Sequence, residues 1–424
     1  MKRAIFTLML AAPAWSQVMT LEQALDQAQQ ASPVVQQARL RALEQEAQAL
    51  ATRAGLGPQL SVTMSQSYQT SNLQGIGLTF PGVPSRIGPY RVMDARPRLT
   101  QTVLDLSLLA RYRAERARAG QVREEAATVA EKTRLAVIDL YLQALLAETR
   151  SRASEARVET AGAVLKQAVE AEQAGTGNKL DVARASQRLE TERAALIGLK
   201  RDKAAVVTML KRTIGAEQTA ALEVTPVAEA GAAPVAVEEA LKARPEMRAL
   251  EARGRVLRLE LQAAERERWP KVSAFGDYGA LGQDPSNAVS TYAVGVAVNV
   301  PVWTSGRIEN SVKAARHRLE QWEQEKRALA LQVEQEMAQA ALEREAAQAA
   351  QASAAKAASA AREALELSRM RYGAGLATNL DVVTAQGELA QTEEEELRTR
   401  YEGLVAAARL AAAQGDVMAF VRGR

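Results

Sequence analysis

Cysteine is absent from the chain and histidine occurs once, at His317. The first absence removes disulfides, thiolate metal ligands and lipid attachment through an N-terminal cysteine. The second leaves zinc coordination and histidine-based triads without their usual donors, and no metal or cofactor is expected. Aromatic residues are scarce, 4% of the 424 positions, although 47% are hydrophobic. Much of that surplus is alanine; small side chains at helical spacing let helices approach closely without filling a thick globular core. Acids and bases nearly balance at a net charge of +4 and are interspersed, as on solvated helix faces. There is no basic patch interleaved with aromatics, which argues against nucleic acid as a partner. No acid/base pair, nucleophile or cofactor loop emerges, so an enzyme is not expected.

Three further features have bland readings. His317 sits between Arg316 and Arg318 and reads as surface. Glu393-Glu394-Glu395-Glu396 would point around a helix axis and reads as a solvated face, not a metal site. The Arg111 to Arg118 tract reads as exposed helix surface.

At the start, Lys2 and Arg3 precede the apolar run from Ala4 to Ala12, with small residues at Ala14 and Ser16. That pattern reads as an export signal over residues 1–16, cleaved near Gln17, against the alternative of a short buried helix. Nothing later approaches the ~20 apolar residues of a membrane-spanning helix.

The remaining chain reads as one unit written twice. Arg371-Tyr372-Gly373-Ala374-Gly375 leads to Leu380-Asp381-Val382, and Ala171 to Gly175 leads to Leu180-Asp181-Val182, 200 positions earlier. In each, a long Ala/Glu/Arg-rich helical pattern runs in, a glycine stops it, and a second helical pattern leaves. Gly175 and Gly375 can take the left-handed conformation that ends a helix. Asn178 and Thr378 read as N-caps, with Asp181 and Asp381 as carboxylates in the first turn. These are helical hairpin tips, at about 172–182 and 372–382. Ser32-Pro33 and Arg244-Pro245 each open a helix, and Gly215 and Gly415 each close one. The expected division is a first repeat at 17–215, a linker at 216–236 and a second repeat at 237–424.

Between the short and long helices of each repeat the period turns to alternation. Leu60, Val62 and Met64 alternate with Ser61, Thr63 and Ser65; Tyr292, Val294, Val296 and Val298 alternate with small residues. These are strands with one apolar face, giving hairpins at about 58–105 and 270–302. The strand from about Tyr90 to Asp105 alternates poorly, broken by Arg91, Arg96, Pro97 and Arg98, and its pattern fixes no register. The first hairpin loop, Ser71 to Pro89, reads as long, and the second, Gly282 to Asn287, as short. The strands match the 9–11 residues of a tilted membrane strand. Trp269 and Trp303 fall at the helix end of the second hairpin, Tyr278 and Tyr292 towards its loop, and Tyr68 and Tyr90 likewise in the first. Aromatics so sorted suit the two girdles of a membrane barrel; the alternative is a soluble hairpin capping a coiled coil.

From about Ser107 to Glu172 and Ser305 to Tyr372 the pattern is uninterrupted helix, roughly 100 Å each at 1.5 Å per residue. A periplasm-crossing structure needs that length; a globular domain does not. Two copies of the unit supply only four strands, and membrane strands must close into a barrel, because an open edge leaves backbone groups unpaired in lipid. Three chains would give twelve strands; two would give a barrel too narrow for a channel.

The paired Tyr/x-x-Gly…Leu-Asp-Val tips, the Pro-initiated strands after short helices and the duplicated layout resemble the TolC-like outer-membrane efflux protein (outer membrane factor) family, over essentially the whole chain after the signal. The resemblance implies a mainly α fold with a β-barrel portion: a homotrimer whose 12-stranded outer-membrane barrel continues into a long periplasmic α-helical barrel. It implies a passive exit duct of a tripartite efflux or type I secretion system, with a periplasmic adaptor and an RND or ABC inner-membrane pump as partners, outer-membrane lipid around the barrel, and energy from the pump. In the family the tip closes the mouth through a Tyr/Arg/Asp network and aspartate rings. Tyr372, Asp381 and Asp181 match that pattern. Ala377 stands where the latch arginine can occur and Thr384 where a second ring aspartate can occur, so Lys179 or Arg184 is the candidate substitute cation. Gly175, Gly375, Leu180 and Leu380 are the implied adaptor contact. The alternative function is a non-conducting coiled-coil spacer of the envelope.

Overall fold

The computed structural model describes residues 17–77, 79, 81–175, 177–217, 222–227, 235–374, 376–377 and 379–422. The chain runs β1 (Gln17–Met19), α1 (Leu21–Ala31), α2 (Pro33–Ala54), β2 (Pro58–Asn72), β3 (Arg86–Leu104), α3 (Leu106–Gln173) and α4 (Lys179–Ile214). The order then recurs as β4 (Leu222–Val224), α5 (Val237–Ala243), α6 (Pro245–Arg266), β5 (Lys271–Gly282), β6 (Val289–Asn299), α7 (Arg307–Gly373) and α8 (Asn379–Ala413), with α9 (Met418–Arg422) at the end. The fold is mainly α with a smaller β portion. It divides into two compact units, each built from both halves of the sequence.

One unit takes residues up to Arg39, Glu125–Arg248 and Arg327–Arg424. Its core gathers Leu25, Val137, Ile138, Leu142, Leu210, Ile214 and Phe420 around the fully buried Tyr141. The Tyr141 hydroxyl accepts from the Thr225 amide at 2.8 Å and donates to the Met19 carbonyl at 2.8 Å, which satisfies the one polar atom this ring buries. It thereby fixes a small parallel sheet, β1 on β4, paired Gln17 to Leu222 and Met19 to Val224. This sheet, absent from the sequence expectation, gives structure to part of the 216–236 linker. A capping box starts α1: Thr20 Oγ1 accepts from the Gln23 amide, and Gln23 Oε1 accepts from the Thr20 amide, so two orphan amides are satisfied.

The returning helices stop where the sequence placed their glycines. Gly215 has φ 73° and ends α4, and Gly415 has φ 90°. A side chain at Gly215 would also meet the Ala31 carbonyl oxygen at 2.3 Å. The position needs glycine twice over, for its dihedral and for the close approach of the α1–α2 junction. At the matching junction in the second half, the buried Arg244 donates through Nε and Nη2 to the Ala413 carbonyl, at 2.9 and 2.6 Å, and pairs with Glu336 at 2.6 Å. It caps the carbonyl end of α8. Burial alone would push the Glu336 carboxyl up, but hydrogen bonds from Arg244 and Gln332 outweigh it and hold that carboxyl below the usual range.

The other unit, Leu40–Glu124 with Ala249–Lys326, holds a four-stranded antiparallel sheet in the order β2-β3-β5-β6. The register that the pattern of β3 could not fix is set from both sides: Leu60 pairs with Leu99, and Arg98 with Asp277. The first hairpin loop is shorter than expected, because β2 continues to Asn72 and β3 begins at Arg86; backbone pairing of Asn72 with Arg86 extends the ladder past the polar residues that had read as loop. Below the sheet, α6 meets α7 where Trp322 lies against Gly254, leaving no room for a Cβ at that position, and its indole donates to the Leu250 carbonyl at 2.7 Å.

Candidate functional site

In the first unit the candidate site is the pair of hairpin tips. After α3, Gly175 takes φ 75° and the Gly177 amide donates back to the Ala171 carbonyl at 2.8 Å. Asn178 then caps α4, its Oδ1 accepting from the Asp181 amide at 2.9 Å. The carboxylate of Asp181 is thus held in the first helical turn, where the helix dipole favours it. Arg184 and Lys179 are exposed and make no ion pair among the described residues, while Leu180 stands exposed beside them. At the second tip the Leu376 amide donates to the Arg371 carbonyl at 2.8 Å. Asp381 and Thr384 are exposed on the first turns of α8, and Leu376 and Val383 are exposed there too. Gly375 and Thr378 lie outside the described residues, as do the side chains of Tyr372 and Leu380.

The stems of these hairpins are tied by ion pairs. Glu192, buried, meets Arg157 at 3.3 Å and Arg188 at 2.7 Å. Arg362 of α7 reaches both Glu393 at 3.2 Å and Glu396 at 2.9 Å on α8. Glu394 points instead to Arg150 of α3, at 2.5 Å, and Glu395 to Arg398. The four glutamates do point around the axis, but each finds an arginine instead of water alone. That sequence reasoning missed; a charge run shows its own direction on the helix but not what stands opposite.

In the second unit the site is the sheet. Facing pairs place Leu60, Val62, Met64 and Tyr68 of β2 and Tyr292, Val294, Val296 and Val298 of β6 on one side, and all eight are 62% or more exposed. An apolar face so bare has no partner among the described residues. The opposite face carries Ser61, Thr63, Ser65, Asp94, Arg96, Arg98, Ser273 and Asp277. Asp277 is buried there, held by Arg96 at 3.0 Å and Arg98 at 3.6 Å; Arg96 also reaches Asp94 at 2.6 Å, and Arg98 lies over the Phe275 ring. This network crosses the seam between the two hairpins and accounts for the arginines that spoiled the alternation of β3. Tyr278 pairs with Tyr292 on the apolar face, and Trp269 and Trp303 are exposed at the helix end. Tyr90 is the exception among the aromatics. It pairs with Gln69, one position off Tyr68, and its hydroxyl bonds Gln69 and Ser71 on the polar side. His317 is exposed beside Glu320.

The chain thus combines a sheet of one polar and one bare apolar face with helices of 68 and 67 residues, the parts expected of an outer-membrane channel protein. The family profile for outer membrane efflux proteins matches residues 24–216 and 236–416, and the chain belongs to that family. It is the outer-membrane channel of a tripartite efflux or secretion system. Among curated proteins it is similar to the alkaline protease secretion protein AprF of Pseudomonas aeruginosa, 24% identical over 330 residues, covering 74% of this chain and 67% of that one. Among solved structures it resembles the CmeC outer membrane channel of Campylobacter jejuni, with TM-score 0.78 at 16% identity over 93% of this chain and 85% of that one. The outer membrane protein VceC of Vibrio cholerae gives TM-score 0.74 at 19% identity, over 93% and 96%. At those identities the structures speak for the fold.

Proposed function

We propose that three copies of this chain close a 12-stranded barrel in the outer membrane, and that the long helices of the trimer form one passive duct across the periplasm. The observation that carries this reading is the four-stranded sheet: β2 and β6 are its edges and its apolar face is bare. In lipid, edges must be paired and apolar faces cost nothing, so the sheet suits only a closed assembly. Strand directions alternate along the order, so β6 of one copy can meet β2 of the next in antiparallel fashion. Exposed Leu40, Leu43 and Leu50 on α2, and Leu331 and Leu342 on α7, give the helices apolar stripes of their own for neighbouring copies. Tyr68, Tyr278 and Tyr292 would mark one membrane interface and Trp269 and Trp303 the other, with Tyr90 inside the barrel wall.

The periplasmic mouth is read as an aperture set by Asp181, Asp381, Tyr372 and Thr384, with Arg184 as the cation that pairs across adjacent hairpins. Rings of carboxylates at a narrow mouth favour cations by their field alone. Gly175, Gly375, Leu180 and Leu380 are the surface offered to a periplasmic adaptor, through which an inner-membrane pump of RND or ABC type opens the duct. Residues 1–16 are read as the export signal. The chain itself performs no catalysis in this scheme.

Two measurements test it. The detergent-solubilised particle should have the protein mass of three chains, each 45.7 kDa less the cleaved residues 1–16, and should conduct weakly in planar bilayers. Arg184→Ala should raise that closed-state conductance and strengthen its cation preference, whereas Asp381→Ala should weaken that preference. A monomeric particle soluble without detergent sinks the trimer, and an unchanged Arg184→Ala conductance removes Arg184 from the latch.

A further inference from the structure

The positive charge of this chain is concentrated beside the sheet. Residues 105–118, at the start of α3, carry Arg111, Arg113, Arg116 and Arg118 against Asp105 and Glu115. Residues 307–318, at the start of α7, carry Arg307, Lys313, Arg316 and Arg318 against Glu309. Those two stretches together outweigh the net +4 of the whole chain. Both follow the helix end of the sheet, whereas the loops at its other end, residues 73–85 and 283–288, hold a single charged residue, Asp284, which the exposed Arg86 at the start of β3 balances. The asymmetry is between the two margins of the membrane-facing surface.

Part of the charge is already used. Glu267 binds both Arg111 and Arg307, Arg118 lies between Glu115 and Glu260, and Arg316 is 3.5 Å from Glu265. Arg113, Arg116 and Lys313 remain exposed without an ion pair among the described residues, as do Arg53, five residues before β2, and Arg268, next to Trp269. At 1.5 Å per helical residue, the free cations on α3 lie roughly 13–18 Å of helix from the end of β3. Their side chains reach back several ångströms, and the headgroup layer extends roughly 5–8 Å beyond the hydrocarbon. The remaining gap is within about one Debye length.

We propose that this collar binds the anionic headgroups of phospholipids in the periplasm-facing leaflet, their phosphates lying against Arg53, Arg113, Arg116, Arg268 and Lys313. The inference rests on the chain being an outer-membrane channel. Exposed aromatics at Trp269 and Trp303 set the depth, and the unpaired cations beyond them supply the charge that neutral lipid does not satisfy.

The full-length protein is reconstituted in nanodiscs of phosphatidylethanolamine, alone or in equal mixture with phosphatidylglycerol, and the lipid it retains is counted by native mass spectrometry. The collar variant Arg113→Gln/Arg116→Gln/Lys313→Gln is compared with Lys166→Gln/Arg193→Gln/Arg201→Gln, which removes three exposed cations far along the sequence on α3 and α4. The collar variant should bind phosphatidylglycerol about fivefold more weakly per cation removed, and salt should erase the difference; the comparison variant should match the wild type. If the triple variant fails to assemble, Lys313→Gln alone should still show the single fivefold step. Unchanged phosphatidylglycerol retention in the collar variant overturns the proposal. So does a changed ion selectivity with unchanged lipid, which would put these cations in the lumen. A wild-type protein that binds lipid but never conducts would instead strike at the channel reading.

Discussion

Val296 lies towards the middle of β6, opposite Ala274, with Val294 and Val298 on either side of it on the same face. It is 67% exposed, so nothing among the described residues objects to a larger or charged residue there. In water, Val296→Arg would be close to neutral. In a bilayer it places a guanidinium against hydrocarbon, at about 2–4 kcal/mol near the midplane, and the proposed trimer would carry three such sites. Its neighbour Ala297, opposite Ser273, faces the other way. Because side chains alternate, a shift of one residue moves the charge from the lipid face to the polar face. Ala297→Arg should therefore cost little stability and act on conductance and ion selectivity. The assay is reversible urea unfolding of the protein folded into lipid vesicles, with single-channel recording of whatever folds. Equal losses at the two positions, or a neutral Val296→Arg, would refute the assignment of the apolar face to lipid.

Gly215→Ala should destabilise the folded chain by a few kcal/mol, since a left-handed alanine costs about 1–2 kcal/mol and overpacking against the Ala31 carbonyl about 1–3 kcal/mol more. Gly198→Ala, in the interior of α4 with open space around its Cβ position, should be neutral or stabilising by about 1 kcal/mol, and thermal melts of the two report the contrast. The ion pair of Arg244 with Glu336 gives an acid-sensitive joint. The Glu336 carboxyl is depressed when folded, so its contribution is present above the ordinary glutamate range and is lost as the pH falls through the lower folded value. Glu336→Gln should be less stable than wild type at pH 7 and should lose less on acidification. Parallel pH curves for the two proteins would contradict this.

The elements most legible in the sequence were those whose causes are local. Proline at the first turn of α2 and α6, glycine after α4 and α8, and the long Ala/Glu/Arg runs of α3 and α7 each act through their own backbone, so their positions could be read without neighbours. The apolar faces of β2 and β6 were legible for the same reason. What escaped was set by partners distant in sequence. Arg96 and Arg98 broke the alternation of β3 and hid its register, because their counter-charge, Asp277, lies on β5. Arg244 looked like any arginine before a proline, yet it caps a helix that ends at Ala413. The β1–β4 sheet rests on a tyrosine hydroxyl shared with two backbones, a contact with no periodicity to betray it. At the tips the sequence named Asp181 and its cap Asn178 correctly as local structure; the roles of Arg184 and Asp381 depend on neighbouring hairpins and stay a proposal.

The most direct measurement uses the absence of native cysteine. A single cysteine at Ser65 on edge strand β2 is combined in turn with one at Ala293, Gly295 or Ala297 on edge strand β6, all on the polar face, and the membranes are oxidised before denaturing electrophoresis. The account predicts that at least one pair yields cross-linked species of two and three chains and nothing larger. Only monomers across the whole panel, or a ladder running past three, would contradict it.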